Sequence, residues 1–318
     1  MPKTLKRLLI IFIVVILSIG IWAYSRANNS DLVFGEYEQS PEVFVSDNNY
    51  GFTYKDHNER SFVYINKNIY GPYNDAKITS LANQKFGFAY AGLDYNDWYF
   101  NINDDIFGPY QNAGEVSVSN NNFGFFYQQD NQWYVNIKNK SYGPFPLVKN
   151  VAVSDSNFIF TYQENNQDYL FINNQAQQAP GVIEKVSANQ NGVGYVYVAG
   201  GEKYVNFNNR TYGSFSESSP VFLFDNGFAF WYLDQGNIWI NFNGMVMGPY
   251  ESVSILKNSQ DMAFYYKKKE NKNYFISTST KASGPYNYDF ARGSASQKKI
   301  GLAYMKGNGW YVVIMPLK

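Results

Sequence analysis

His57 is the only histidine of the 318 residues, and it lies in Lys55-Asp-His-Asn-Glu-Arg60, a run whose charges suit a solvated turn. A histidine metal cage or a Ser-His-Asp triad could form around this position alone. No cysteine occurs, which excludes disulfides, thiolate zinc sites, iron–sulfur clusters and cysteine nucleophiles. Asp94-Tyr-Asn-Asp97 and Asn101-Ile-Asn-Asp-Asp105 offer oxygen ligands of the kind calcium takes. Neither has the spacing and closing glutamate of a calcium loop, and Asp and Asn are ordinary turn formers. The one dense basic run is Lys267-Lys-Lys-Glu-Asn-Lys272, which reads as a hairpin tip or as a contact for an anionic surface. There is no Gly-x-Ser-x-Gly elbow and no phosphate-cradling glycine loop. Lys plus Arg is 26 and Asp plus Glu is 26, without the basic excess of a nucleic-acid binder. No metal, cofactor or nucleic-acid partner is expected.

The elements that would position these residues are strands. Aromatic residues are 19% of the chain and charged residues 16%, a bias that suits half-buried pleated surfaces. Three signatures recur in phase. Gly-Pro-Tyr or a relative begins at 35, 71, 108, 143, 179, 213, 248 and 284, a period of about 36 residues. Gly-Phe-x-Tyr recurs as Gly51–Tyr54, Gly87–Tyr90 and Gly124–Tyr127, and Trp-Tyr-x-Asn-Ile as Trp98–Ile102 and Trp133–Ile137. Each unit reads as four short strands. Strand A alternates, as in Glu115–Ser119; B carries Gly-Phe-x-Tyr; C carries Trp-Tyr-x-Asn-Ile; D ends on Gly-Pro-Tyr. After residue 30 no window sustains a 3.6-residue apolar period. Four-stranded units repeating at this length select a propeller. The expectation is an all-β, eight-bladed β-propeller over 31–318. Seven units would be complete, and one composite blade would join Leu32–Tyr37 to Trp310–Ile314.

The turn residues Ser119-Asn-Asn-Asn122 before Phe123-Gly-Phe, and Asp225-Asn-Gly-Phe-Ala229, resemble the blades of TolB and dipeptidyl-peptidase-type propellers over about 31–316. The Trp-Tyr-Val-Asn-Ile and Gly-Pro-Tyr cadence is also similar to bacterial WG repeats. Neither resemblance carries a catalytic residue across. The peptidases keep their serine site in a separate hydrolase domain, which this chain does not contain. Sialidase propellers need an arginine cluster, and here Arg60, Arg210 and Arg292 fall in different units.

Residues 1–30 form a distinct segment. Lys3, Lys6 and Arg7 precede an uncharged run, Leu8–Tyr24, closed by Trp22 and Tyr24. That run reaches the length of a transmembrane helix and reads as a signal anchor. Ser25-Arg26-Ala27 leaves a cleaved signal open. The basic flank keeps the N-terminus cytoplasmic and sends the propeller outside. The expected function is a membrane-anchored, extracytoplasmic, non-catalytic binding scaffold for a protein or cell-envelope polymer. The alternatives are a glycan-active hydrolase or lyase with carboxylates on one propeller face, and a passive envelope spacer. The A–B and C–D turns share one face and the B–C and D–A loops the other. The B–C loops vary most, so His57, Asp94, Tyr95, Asp97, Lys267, Lys268 and Lys269 are the candidate binding residues.

Overall fold

The computed structural model describes residues 32–92, 97–225, 227–256, 263–267, 274–278, 282–286, 290–296, 298–306 and 309–316. These are all strand and turn. The strands form antiparallel sheets, each laid down in chain order from an inner A to an outer D strand, at 42–73, 75–110, 112–145, 147–178, 182–215, 217–250 and 252–286. A closing sheet takes three strands between 290 and 316 and its fourth, Leu32–Tyr37, from the other end of the chain, with Leu32 opposite Ile314 and Phe34 opposite Val312.

The expected count of eight four-stranded blades is corrected to seven. Seven sheets are four-stranded, and the sheet at 217–250 has five strands. Its inner strand is split into Glu217–Ser218 and Phe222–Phe224. Other inner strands bulge near this point, as between Ala113 and Val116 or Ile183 and Lys185. Here Pro220 follows, and with no N–H it cannot rejoin the ladder. The Ser219 hydroxyl oxygen instead accepts the Trp231 N–H at 2.9 Å. The expected N-terminal helix falls on residues that the structure does not describe; among the described residues no helix occurs, hence none long and apolar enough to cross a membrane. Residues 1–31 lie outside them.

The core is divided among the junctions between sheets. Phe44, Val63 and Ile65 of one sheet pack with Leu81 and Phe88 of the next. Val135 and Ile137 pack with Val151 and Phe160 in the same way. Each buried side chain of this size contributes roughly 1.5–3 kcal/mol. The sequence signatures are the parts of this junction. In Gly108-Pro109-Tyr110, two residues of strand D oppose Tyr99 alone, because Trp98 pairs Tyr110 and Phe100 pairs Phe107. This is a bulge. Gly108 has φ +130°, and a Cβ there would meet the Trp98 carbonyl at 2.8 Å. Pro109 sits on an outer edge strand, where no ladder bond is lost. The bulge aims Tyr110 into the next sheet, where it stacks on Tyr127 at 4.1 Å, and Tyr73 meets Tyr90 likewise at 4.3 Å.

The C–D turns are two-residue hairpins with both residues at positive φ, as at Asn103 (+51°) and Asp104 (+69°), the type I′ geometry that Asn tolerates. The strand C asparagine caps this turn: Asn101 Oδ1 accepts the Asp104 N–H at 2.9 Å, and Asn136 accepts that of Asn139.

Candidate functional site

The B–C and D–A loops do share a face. His57 Nδ1 lies 2.7 Å from Glu38 Oε1, a contact between a B–C turn and the preceding D–A link. Lys267 Nζ meets Glu251 Oε1 at 2.7 Å in the same way. Asp97 is exposed, and its carbonyl accepts the Gly92 N–H at 3.0 Å. Three of the candidate residues therefore lie on the expected face, on three different sheets. Asp94, Tyr95, Lys268 and Lys269 lie outside the described residues. The turn at 55–60 is held by Arg60 on Asp56, 2.6 Å, whose guanidinium keeps the Asp56 carboxyl below the usual range.

This face is ionic. Lys203 pairs with both Glu184 and Glu217, at 3.1 and 2.9 Å. Burial works against its charge, but hydrogen bonds from the ammonium to the two carboxylates raise its pKa above the ordinary value. Asp168 is buried and accepts Lys149 Nζ on both oxygens (2.7 and 2.8 Å), Gln163 Nε2 and the Ile183 N–H. Burial pushes its carboxyl up, yet these three donors bring it below the usual value. This network occupies the one junction where Ala179-Pro180-Gly181 supplies no aromatic ring.

At the hub, the inner strands enclose a cavity of about 580 Å³, within the roughly 300–1,000 Å³ of ligand pockets. Where these strands leave the D–A links, the lining is charged: Glu42, Lys77, Glu115 and Lys185. Lys185 Nζ reaches Glu115 Oε1 at 2.6 Å, bridging two sheets that are not neighbours. Lys77 Nζ stands 5.3 Å above the Trp98 ring. Deeper, the lining mixes serines with Phe44, Val118, Val153 and Val221, whose side chains are buried in the junctions between sheets. The serines among them are already bonded: Ser80 Oγ accepts the Val118 N–H and Ser117 Oγ that of Val153. The sequence reading missed these four charged residues. A signal existed, because they hold one position of the unit at spacings of 35, 38 and 70 residues.

The opposite face is stitched. Asp47 N–H donates to Asn83 Oδ1 (2.8 Å), Gln84 N–H to Asn120 Oδ1 (3.2 Å) and Asn121 N–H to Asp155 Oδ1 (2.8 Å), each step joining one A–B turn to the next. Asn157 Nδ2 on the Asn189 carbonyl and Asn191 Nδ2 on that of Asp225 continue the ring. Lys298 N–H donates to Asp47 Oδ1 at 3.1 Å, carrying it across the chain ends. Of the Asn101–Asp105 oxygens considered for calcium, those of Asn101 and Asn103 serve the hairpin: Asn103 Oδ1 accepts the Phe86 N–H at 2.8 Å. Among the described residues no group of three His, Asp or Glu could hold a metal ion.

No protein-family model and no curated relative matches the sequence. Among solved structures, the chain is similar to the β-propeller domain of the Trilobed protease from Pyrococcus furiosus, at 7% identity and TM-score 0.53, over 79% of this chain and 97% of that one. That domain is described as having an open velcro topology, whereas here Leu32–Tyr37 pairs with the C-terminal strand. A prolyl endopeptidase is similar at 8% identity and TM-score 0.52, over 85% of this chain; the match spans 55% of the endopeptidase. The resemblance to peptidase-type propellers is thus met by peptidase propeller domains, and what these likenesses show is the fold, a β-propeller.

Proposed function

We propose that the protein is a membrane-anchored, extracytoplasmic binding scaffold without catalytic chemistry, which meets a protein or cell-envelope partner on its B–C/D–A face. One observation carries this reading: the charged mouth of the hub cavity opens on the face with the varied loops, while the A–B turns of the other face are spent on bonding each other. The anchor reading agrees with it. Leu32 begins an outer strand at its A–B/C–D end, and Ser25–Ser30 span at most about 20 Å. The stitched face then sits toward the bilayer and the loop face outward. The test is capture of envelope components by the full-length protein, compared with a variant whose exposed 55–60 loop is replaced by an Asn-Gly turn. Capture should be lost with the fold intact. Capture that survives this exchange but fails on substituting Asn120–Asn122 would reverse the assignment of faces.

A further inference from the structure

We propose that the outer edge of strand Gln175–Gln178 pairs with the same strand of a second copy of this chain, joining two propellers rim to rim. Every other outer strand among the described residues carries a bulge that spoils its free edge. The register shifts between strands C and D in the sheets ending at Tyr73, Tyr110, Phe145, Phe215, Tyr250 and Tyr286, and between Gly35 and Tyr37 in the closing sheet. Several of these bulges also hold a proline with no N–H to offer, as at Pro72, Pro109, Pro144 and Pro249. Gln175–Gln178 pairs without a shift, Ile172 opposing Gln175 and Tyr169 opposing Gln178. Its residues, Gln-Ala-Gln-Gln, are all exposed, and none is charged or proline. The devices that keep sheet edges from pairing are missing here and present around the rest of the rim.

The edge is complementary to itself. Asn173 (φ +46°) and Asn174 (φ +70°) make a two-residue turn, which closes on a hydrogen-bonded pair, Ile172 with Gln175. Alternation then turns the N–H and C=O of Gln175 and Gln177 inward to strand C, and those of Ala176 and Gln178 outward. Two antiparallel copies with Gln177 at the two-fold axis set Ala176 of each opposite Gln178 of the other, so every outward N–H and C=O of both strands is paired. The Gln177 side chains meet at the axis, where amides donate and accept at once, and no charge is set against its like. An uncharged edge selects no charged peptide, whereas an isologous contact needs only this one surface. Strand twist of roughly 20–25° per step turns strand D by roughly 60–75° from strand A. With strand A along the central axis, the two-fold axis normal to the sheet at this edge lies close to that direction. The two propellers then stand side by side with like faces on the same side, as two chains anchored in one bilayer would. So short an edge buries less than the roughly 1,200 Å² of a stable interface, so the dimer is reversible and favoured by high local concentration.

The chain has no cysteine, so single cysteines report the contact. Full-length Gln177→Cys, reconstituted in vesicles and treated with an added oxidant, should form a covalent dimer, because a pair outside the hydrogen-bonded positions brings its Cβ atoms to about 4.5 Å. Thr211→Cys, on the edge of a bulged strand, should form about tenfold less. In the otherwise unaltered chain, chemical cross-linking of the dimer should be lost in Gln177→Lys, which sets like charges at the axis, and in Ala176→Pro, which removes an outward N–H and leaves the inner ladder whole. An equal mixture of Gln177→Lys and Gln177→Glu should recover it. Each variant should melt near the parent temperature, since only an exposed edge is changed. No dimer in the parent, equal yield from Thr211→Cys, or a mixture no better than either variant alone would each overturn the edge contact. Envelope capture that depends on the 55–60 loop is unaffected by any of these results, so the scaffold reading stands or falls separately.

Discussion

On the A–B face, neighbouring sheets are joined mainly by backbone N–H groups and short amide side chains, as in Asp47 to Asn83 and Gln84 to Asn120. On the B–C face sheets meet through ion pairs, as in Lys203 on Glu217 between neighbours, or Lys185 on Glu115 between two sheets that are not neighbours. The amide bonds come at one-unit steps and use groups that water would otherwise solvate, so each adds about 1 kcal/mol and they share the load. Exposed ion pairs add less and are screened by salt, but they can change partner. One face is built to hold the ring and the other to exchange contacts.

The largest way to break this comparison is to remove what closes the ring. Deleting residues 32–38 strips Phe34 and Tyr37 from the cluster with Val43 and Phe52 and leaves the strand at 309–316 as a bare edge. The loss should be about 4 kcal/mol or more, read as a large drop in melting temperature. Retention of the parent temperature would mean that the stitched face alone closes the ring.

Next comes the ionic group that behaves as structure. Asp168→Ala should cost about 3 kcal/mol, because Lys149, largely buried, would lose its carboxylate. The pH dependence has a definite sign. The folded pKa is below the ordinary value of about 3.9, so this contribution is present above that value and is lost as pH falls through the folded pKa. Acid unfolding monitored by fluorescence should begin at higher pH in Asp168→Asn if other carboxylates carry the residual acid resistance; an unchanged midpoint and melting temperature would remove Asp168 from the framework.

Much of this was legible in advance because the junction repeats. Tyr110, Gly108 and Asn101 each do the same job in several sheets, so the requirement appears as a cadence. The pairing of Leu32–Tyr37 with the last strand was legible from the half-units at the two ends. The five-stranded sheet was not, since Pro220 breaks a ladder whose register only the folded sheet defines. The charged cavity mouth was missed for a different reason. Glu42, Lys77, Glu115 and Lys185 lie in inner strands, whereas binding residues were sought in the loops. His57 and Lys267 are on the expected face, paired to Glu38 and Glu251, but on separate sheets.

A smaller effect sharpens the stitched side. Asn83→Ala removes the acceptor for the Asp47 N–H and should cost about 1 kcal/mol. Loss of hydrogen-exchange protection should be local to the turns at 46–49 and 82–85. If protection instead falls across the B–C loops as well, the two faces are coupled and the division of labour between them is wrong.

The smallest effect on stability should come from Lys185→Gln, and this smallness is its value. The Lys185–Glu115 pair is about half exposed on both sides, so its removal should shift stability by less than about 1 kcal/mol. Raising salt from low to near-molar concentration should shrink even that difference, because the screening length falls to about 3 Å. The Asn83→Ala penalty, which rests on a hydrogen bond with an uncharged acceptor, should be insensitive to salt. Thermal melts of both variants at the two salt concentrations therefore separate the faces by their physics. A salt-insensitive penalty for Lys185→Gln, equal to that of Asn83→Ala, would show that the hub pair is a framework bond like those across the ring, and that the charged mouth is not free to exchange.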